Sequence, residues 1–307
     1  MHRGRAACLL VPSLAVALEP LGAVRWTGSM IYTYAQLREQ HSRRKIDRWV
    51  AEERLVRAGR HLVLPGTDDA IIAALGKGLR TTCLTAARHH GIWTPPGRGR
   101  HVYGRRGHPV PGAWVDHGYH HAWPEDDPVA SPALLLEHAA RCVDPVDVGI
   151  LAESAMHLKL LHEADVAAIR RVSPRQVQRV LAHASGLPES GSESKVRLHL
   201  LLERVPVRPQ VEIEGVGRVD LLVGERWIIE CDSKTHHKDK DAYVKDRGRD
   251  FNATALGYRT NRLTYEMCFP HWDVTAMWLA QVLATGEHLV PPEQWLRTRR
   301  LRREHKR

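Results

Sequence analysis

Cysteine is scarce and never closely spaced in this chain: Cys8, Cys83, Cys142, Cys231 and Cys268 form no C-x-x-C pair. A small disulfide framework needs an even set, and a zinc knuckle needs thiols about two to four residues apart. The sequence therefore reads as one with free, buried thiols in a reducing cytoplasm, with neither a disulfide frame nor a zinc site. The run from Asp116 through His117, His120 and His121 has no matching cysteine or carboxylate spacing, and reads as core or surface histidine.

Long apolar runs are missing too. The nearest approach, ACLLVPSLAVAL within residues 1–29, is short, broken by Pro12 and without a clear small-x-small cleavage site. It is too short to span a bilayer. A true start at Met30 is the expectation for this extension, with no membrane association and a cytoplasmic location. Acidic residues are also outnumbered, 35 Asp and Glu against 45 Lys and Arg, which leaves a net charge of +10. Such a balance says nothing about fold but points to a polyanionic partner. At 307 residues the chain has room for two or three domains.

Residues 30–66 read as helix, turn, helix and hairpin. Thr33 and Gln36 have capping-box spacing for a helix running through Glu39. Ser42 suits the cap of the next helix, whose Ile46, Trp49 and Val50 share one face. Arg43, Arg44, Lys45 and Arg48 occupy its N-terminal half and exposed side, and Leu55–Leu64 reads as a two-stranded wing. Eight Lys and Arg against four Asp and Glu in residues 31–66 favour DNA contact over a small helical cap with a solvated basic face. Residues 67–190 read as a mixed, mostly helical connecting module. Its helices are expected near 68–75, 81–89, 132–143, 147–157, 163–170 and 174–185, with short strands and turns in 97–115. Arg170, Arg171, Arg175 and Arg179 suggest a further phosphate-facing edge. The turn-forming stretch 186–191 marks a boundary, residues 191–290 form the last domain, and residues 291–307 form a basic tail.

The stretch from Gly217 to Asp250 carries the chemistry. Val219, Leu221 and Val223 alternate with Asp220 and Leu222, Gly224-Glu225-Arg226 turns the chain, and Trp227–Asp232 returns it. Period two puts Glu230 and Asp232 on one face, and the loop length sets Asp220 opposite Glu230. Facing carboxylates destabilise a hairpin unless something neutralises them. Oxygen ligands of this kind suit Mg²⁺ or Mn²⁺. A polar sheet face that merely meets water is the competing reading.

The spaced set Glu193, Asp220, Glu230-Cys231-Asp232, His237, Asp246 and Arg249, followed by Gly257-Tyr258 and Arg262-Leu263-Thr264, resembles the Vsr-like (very-short-patch-repair-like) endonuclease domain. That domain belongs to the PD-(D/E)XK nuclease superfamily, and the resemblance covers roughly residues 190–285. Asp232 stands where the superfamily usually has lysine, and Lys234 is the nearest lysine. The resemblance implies Asp220 and Glu230 as metal ligands, with the Cys231 carbonyl as a further one. His237 would act as acid/base or orient the nucleophile, and Glu193 would support the metal through water. Asp246 and Arg249 would serve as supporting or phosphate-clamping groups, with Arg249 at the DNA. Residues 30–66 resemble the N-terminal winged helix-turn-helix of the AbiEi-type antitoxins, which implies a second helix in the major groove and a toxin-like protein as a further partner.

The expected fold is α/β or α+β. A restriction-endonuclease-like core, with a mixed sheet flanked by helices, follows a winged helix-turn-helix and the mostly helical module. The expected activity is Mg²⁺- or Mn²⁺-dependent hydrolysis of DNA phosphodiester bonds, in phage defence, repair or mobile-element biology. A non-catalytic DNA-binding regulator of antitoxin type, with a nuclease-like scaffold, is the alternative, and an RNA-directed nuclease is a third reading.

Overall fold

A computed structural model describes residues 31–97, 99–105, 107–118, 123–232 and 240–304, with the backbone alone for residues 240–247 and 301–304. The extension 1–29, Lys234 and His237 lie outside the described residues, and Asp246 is described only in its backbone. The chain divides into two compact units after Gly78.

The first unit runs β1 (Ile31–Thr33), α1 (Tyr34–Arg38), α2 (Arg43–Ala51), β2 (Val56–Ala58), β3 (His61–Val63) and α3 (Asp69–Gly76). Both helix starts are built by the residues that announce them. Thr33 Oγ1 accepts from the Gln36 amide at 3.2 Å while Gln36 Oε1 accepts from the Thr33 amide at 2.7 Å. Ser42 Oγ accepts from the Lys45 amide at 3.3 Å. Ile46 and Trp49 turn inward against Leu37, Leu55, Leu62 and Leu64. The hairpin β2–β3 gains β1 as a third, antiparallel strand in the order β1-β3-β2. A three-residue strand is too short to show a period in sequence, so β1 leaves no signal there.

The second unit opens with β4 (Arg80–Thr81), α4 (Cys83–His89), β5 (Arg100–Tyr103) and β6 (Trp114–Asp116). These strands form a sheet in the order β4-β5-β6, antiparallel and then parallel. Four helices follow: α5 (Pro132–Ala139), α6 (Pro145–His157), α7 (Glu163–Val172) and α8 (Arg175–Leu181). Then come α9 (Gly191–Leu202), β7 (Val207–Ile213), β8 (Gly217–Val223), β9 (Trp227–Asp232), α10 (Lys240–Ala255) and β10 (Arg259–Thr264). Helices α11 (Tyr265–Cys268), α12 (Trp272–Ala284) and α13 (Pro292–Glu304) complete the described chain.

The larger sheet has the order β10-β9-β8-β7. Its β7/β8 and β8/β9 pairs are antiparallel and its β9/β10 pair is parallel, so α10 serves as the crossover that a parallel pair requires. One face buries Leu221, Val223, Trp227, Ile229, Cys231 and Leu263 against Val196 and Leu200 of α9 and Leu279 of α12. The other buries Leu222 and Ile228, with Ile213, Val216 and Val219, against Ala253 of α10. A sheet covered on both faces explains why β8 and β9 read as nearly continuous apolar runs. The hairpin turn needs Gly224: its φ is +58°, and a Cβ there would lie 2.4 Å from the His288 carbonyl oxygen. The architecture is mixed α/β, with mixed and antiparallel sheets flanked by helices. Among the described residues no helix is long and apolar enough to cross a membrane.

Candidate active site

The β8–β9 hairpin has the expected register, with Leu221 opposite Ile229, Leu222 opposite Ile228 and Val223 opposite Trp227. The ladder stops there, one residue short of Asp220 and Glu230. Below that point Gly217–Val219 pair only with β7, and Glu230–Asp232 pair only with β10. The two strands therefore fork at the two carboxylates. Asp220 fills the fork: its Oδ2 accepts from the Cys231 amide at 2.8 Å, while its own amide donates to Glu230 Oε2 at 3.4 Å.

The β7/β8 ladder is interrupted at the same level. Gln210 sits in the left-handed region at φ +54°, between the ladder pairs Pro209–Leu221 and Val211–Val219. The β7/β8 ladder thus skips one residue on each strand, Gln210 and Asp220. Alternation on β8 also breaks, since Val219 shares a core with Leu222 rather than with Leu221. The break aims Gln210 Nε2 at Glu193 Oε2, 2.7 Å away. Glu193 stands in the first turn of α9, whose cap Ser190 accepts from the Glu193 amide at 3.2 Å. It is 4 % exposed.

Burial shapes the electrostatics of all three acids. It pushes Glu193 up to about 7, with the Asp220 charge adding to the rise. Burial likewise pushes Glu230 to about 7, Asp220 raising it further and Arg249 opposing. Burial also raises Asp220, against the hydrogen bond from the Cys231 amide. Three carboxyls that resist ionisation near one another could hold a divalent cation, which would relieve both penalties at once. The donors are hard oxygens, the type Mg²⁺ and Mn²⁺ take.

The neighbouring residues have mixed fates. Asp232, the next residue on the Glu230 side of β9, is more open and lies 3.9 Å from Arg262. Arg262 pairs with Asp250 at 3.0 Å. Arg249 reaches Glu230 at 3.5 Å and donates to the carbonyls of Val216 and Arg218, so it braces α10 against β8. The Cys231 side chain belongs to the core, and its backbone amide faces Asp220. Sequence reasoning missed Gln210. Its only signal was the preceding Pro209, a residue tolerated on an edge strand such as β7.

Each unit also carries a basic surface. On α2, Arg43, Arg44, Lys45 and Arg48 are all exposed, with Arg43 paired to Asp47 at 3.6 Å. Lys45 Nζ rests 5.1 Å from the Trp49 ring centroid. In the second unit, Arg170, Arg175, Arg179 and Arg204 line a groove of about 820 Å³.

The thiol expectation holds in part. Cys83, Cys142, Cys231 and Cys268 are all free. The absence of a zinc-type cluster is overturned: Cys83, His101, His117 and Cys142 each bring one ligand atom within 4.8 Å of the others. Among the described residues this is the one group of three or more His, Cys, Asp or Glu side chains gathered so tightly; Glu193, Asp220 and Glu230 are not drawn in to that degree. Spacing rules failed because the four groups come from four separate segments.

Comparison of the chain with protein-family models, with curated proteins and with solved structures finds no match.

Proposed function

We propose that this chain hydrolyses DNA phosphodiester bonds with Mg²⁺ or Mn²⁺ as cofactor, on a restriction-endonuclease-like core of Vsr-like type. The observation that carries the reading is the strand fork, where Glu193, Asp220 and Glu230 are held partly or wholly buried with raised carboxyl pKa values. Asp220 and Glu230 hold the cation, with the Cys231 carbonyl as a further ligand, and Glu193 supports it from α9. The cation's contribution is to activate the nucleophile and to offset charge on the transferring phosphoryl group. Gln210 holds Glu193 in place by its 2.7 Å hydrogen bond, and Arg249 holds Glu230. Asp232, whose charge helps to raise Asp220, borders the same acids in place of the superfamily lysine. The resemblance assigns proton transfer or orientation of the nucleophile to His237. The winged helix-turn-helix reading gives α2 the duplex, through Arg43, Arg44, Lys45 and Arg48.

The test is a cleavage assay on plasmid, duplex and single-stranded oligonucleotides and RNA, with Mg²⁺, Mn²⁺ or EDTA. Wild type cuts DNA with either metal and not with EDTA, and Asp220→Asn and Glu230→Gln abolish cutting while DNA affinity stays within about twofold. Wild-type cutting rates in either variant would overturn the assignment.

A non-catalytic DNA-binding regulator is the second reading. It is favoured by the polar partners that the acids already have: the Cys231 amide on Asp220, Gln210 on Glu193 and Arg249 on Glu230. Sequence-selective binding by a wild type that cuts no nucleic acid with either metal decides for it.

A further inference from the structure

We propose that Cys83, His101, His117 and Cys142 form a tetrahedral, structural Zn²⁺ site, separate from the carboxylate site on the larger sheet.

The geometry is that of a coordination shell. Zinc bonds of about 2.3 Å to sulfur and about 2.0 to 2.1 Å to nitrogen put tetrahedral neighbours about 3.3 Å apart for two nitrogens and about 3.5 Å for nitrogen and sulfur. His101 Nδ1 and His117 Nε2 lie 3.2 Å apart, and Cys142 Sγ lies 3.6 Å from His101 Nδ1. All four ligand atoms fall within 4.8 Å of one another. The donors are two thiols and two imidazoles, a soft and borderline set that selects zinc over Mg²⁺ or Ca²⁺. Four protein ligands leave no open position, which is the mark of a structural rather than a catalytic centre.

The backbone supports the four side chains as it would a site. Cys83, the first residue of α4, is fully buried yet sits at φ +48°, a left-handed conformation that costs a non-glycine residue energy. The His101 amide donates to Thr85 Oγ1 at 2.8 Å, tying β5 to α4. Asp116 accepts from the Gly104 amide at 3.1 Å and the Gly118 amide at 2.9 Å, and the His117 amide donates to the Val102 carbonyl at 2.8 Å. The His117 ring stacks on His138, which is itself hydrogen-bonded to Thr82 Oγ1 at 2.7 Å. Cys142 follows α5, with its amide on the Ala139 carbonyl at 2.9 Å. One ion therefore joins α4, β5, the end of β6 and the end of α5. Such clamps suit a three-stranded sheet whose strands are only two to four residues long.

The full-length chain, purified under reducing conditions, is expected to contain about one zinc ion per molecule by elemental analysis. After exchange of zinc for Co²⁺, it should show intense tetrahedral visible bands and a thiolate-to-cobalt charge-transfer band. Asp220→Asn keeps the charge-transfer band, which separates this centre from the carboxylate site. Cys83→Ser and Cys142→Ser each weaken or lose it. If those variants do not fold, the wild-type cobalt spectrum decides alone. Three results overturn the proposal: no zinc or cobalt bound by reduced wild type, a six-coordinate cobalt spectrum without charge transfer, or a Cys83–Cys142 disulfide in freshly isolated protein.

Discussion

Glu193 and Glu230 are pushed to about 7 by burial and by the Asp220 charge, while Asp220 is also raised. An acid whose folded pKa exceeds its unfolded value of about 4.5 takes up more protons in the folded chain, so its contribution to stability grows as pH falls from about 7 to about 4.5 and is lost as pH rises. Glu153, also raised to about 7 by burial, acts in the same direction. On the proposed function, a divalent cation would compete with those protons at the fork. Thermal denaturation across this window should show the metal-free protein gaining stability on acidification relative to Glu230→Gln. The stabilisation by Mg²⁺ should shrink over the same interval. A Mg²⁺ shift that stays constant across the window would place the cation elsewhere. Asp232 and Lys234 are separable by mutation. Asp232→Ala is expected to remove more cleavage than Lys234→Ala, because Asp232 sits two residues beyond Glu230 on the same strand, and single-turnover rates rank the two.

At the scale of elements, α9 binds the forked sheet to the helical module. Its Arg197 pairs with Glu153 of α6, a carboxylate with no exposed surface, and donates to the His183 carbonyl at 2.9 Å. Removing one member of a buried pair strands the other charge, at a cost of about 3 to 5 kcal/mol. Arg197→Met should therefore lower the denaturation midpoint sharply, and the double variant with Glu153→Leu should recover much of the loss. Independent, additive losses would show that the pair is not coupled. The proposed function gives helix α2 a different role. Replacing Arg43, Arg44, Lys45 and Arg48 with alanine should weaken DNA binding and reduce the log–log salt slope by roughly 0.9 for each phosphate that is no longer neutralised. Single-turnover cleavage at saturating concentration should persist. Unchanged affinity and slope would leave this face merely solvated. Cleavage abolished at full affinity would mean that α2 takes part in the chemistry.

For the molecule as a whole, local rules were legible and convergences were not. The Thr33–Gln36 box, the Ser42 cap and the Gly224 turn each depend on residues within one turn of chain, and all appear where the sequence places them. The hairpin register followed from the same turn, down to Leu221 opposite Ile229. The fork did not: it coincides with the left-handed Gln210 on a third strand, which no pattern in β8 or β9 encodes. Arg262 opposite Glu230 depends on a parallel partner reached through α10, a pairing equally invisible to spacing. The four-residue Cys and His cluster is the extreme case, assembled from segments that share no motif. The +10 excess includes both the α2 face and the Arg170–Arg204 groove.

That cluster bears on the order in which the chain folds. A knuckle of close thiols can seize its ion while the rest of the chain is still unfolded. Cys83, His101, His117 and Cys142 meet only once α4, β5, β6 and α5 have found one another, so long loops must close before any ligand set exists. Metal capture would then trail tertiary assembly instead of seeding it. In refolding followed by stopped-flow, the cobalt colour should rise with the slowest phase of the second unit, at a rate independent of cobalt concentration. Colour that precedes compaction would indicate that a subset of the ligands nucleates the fold.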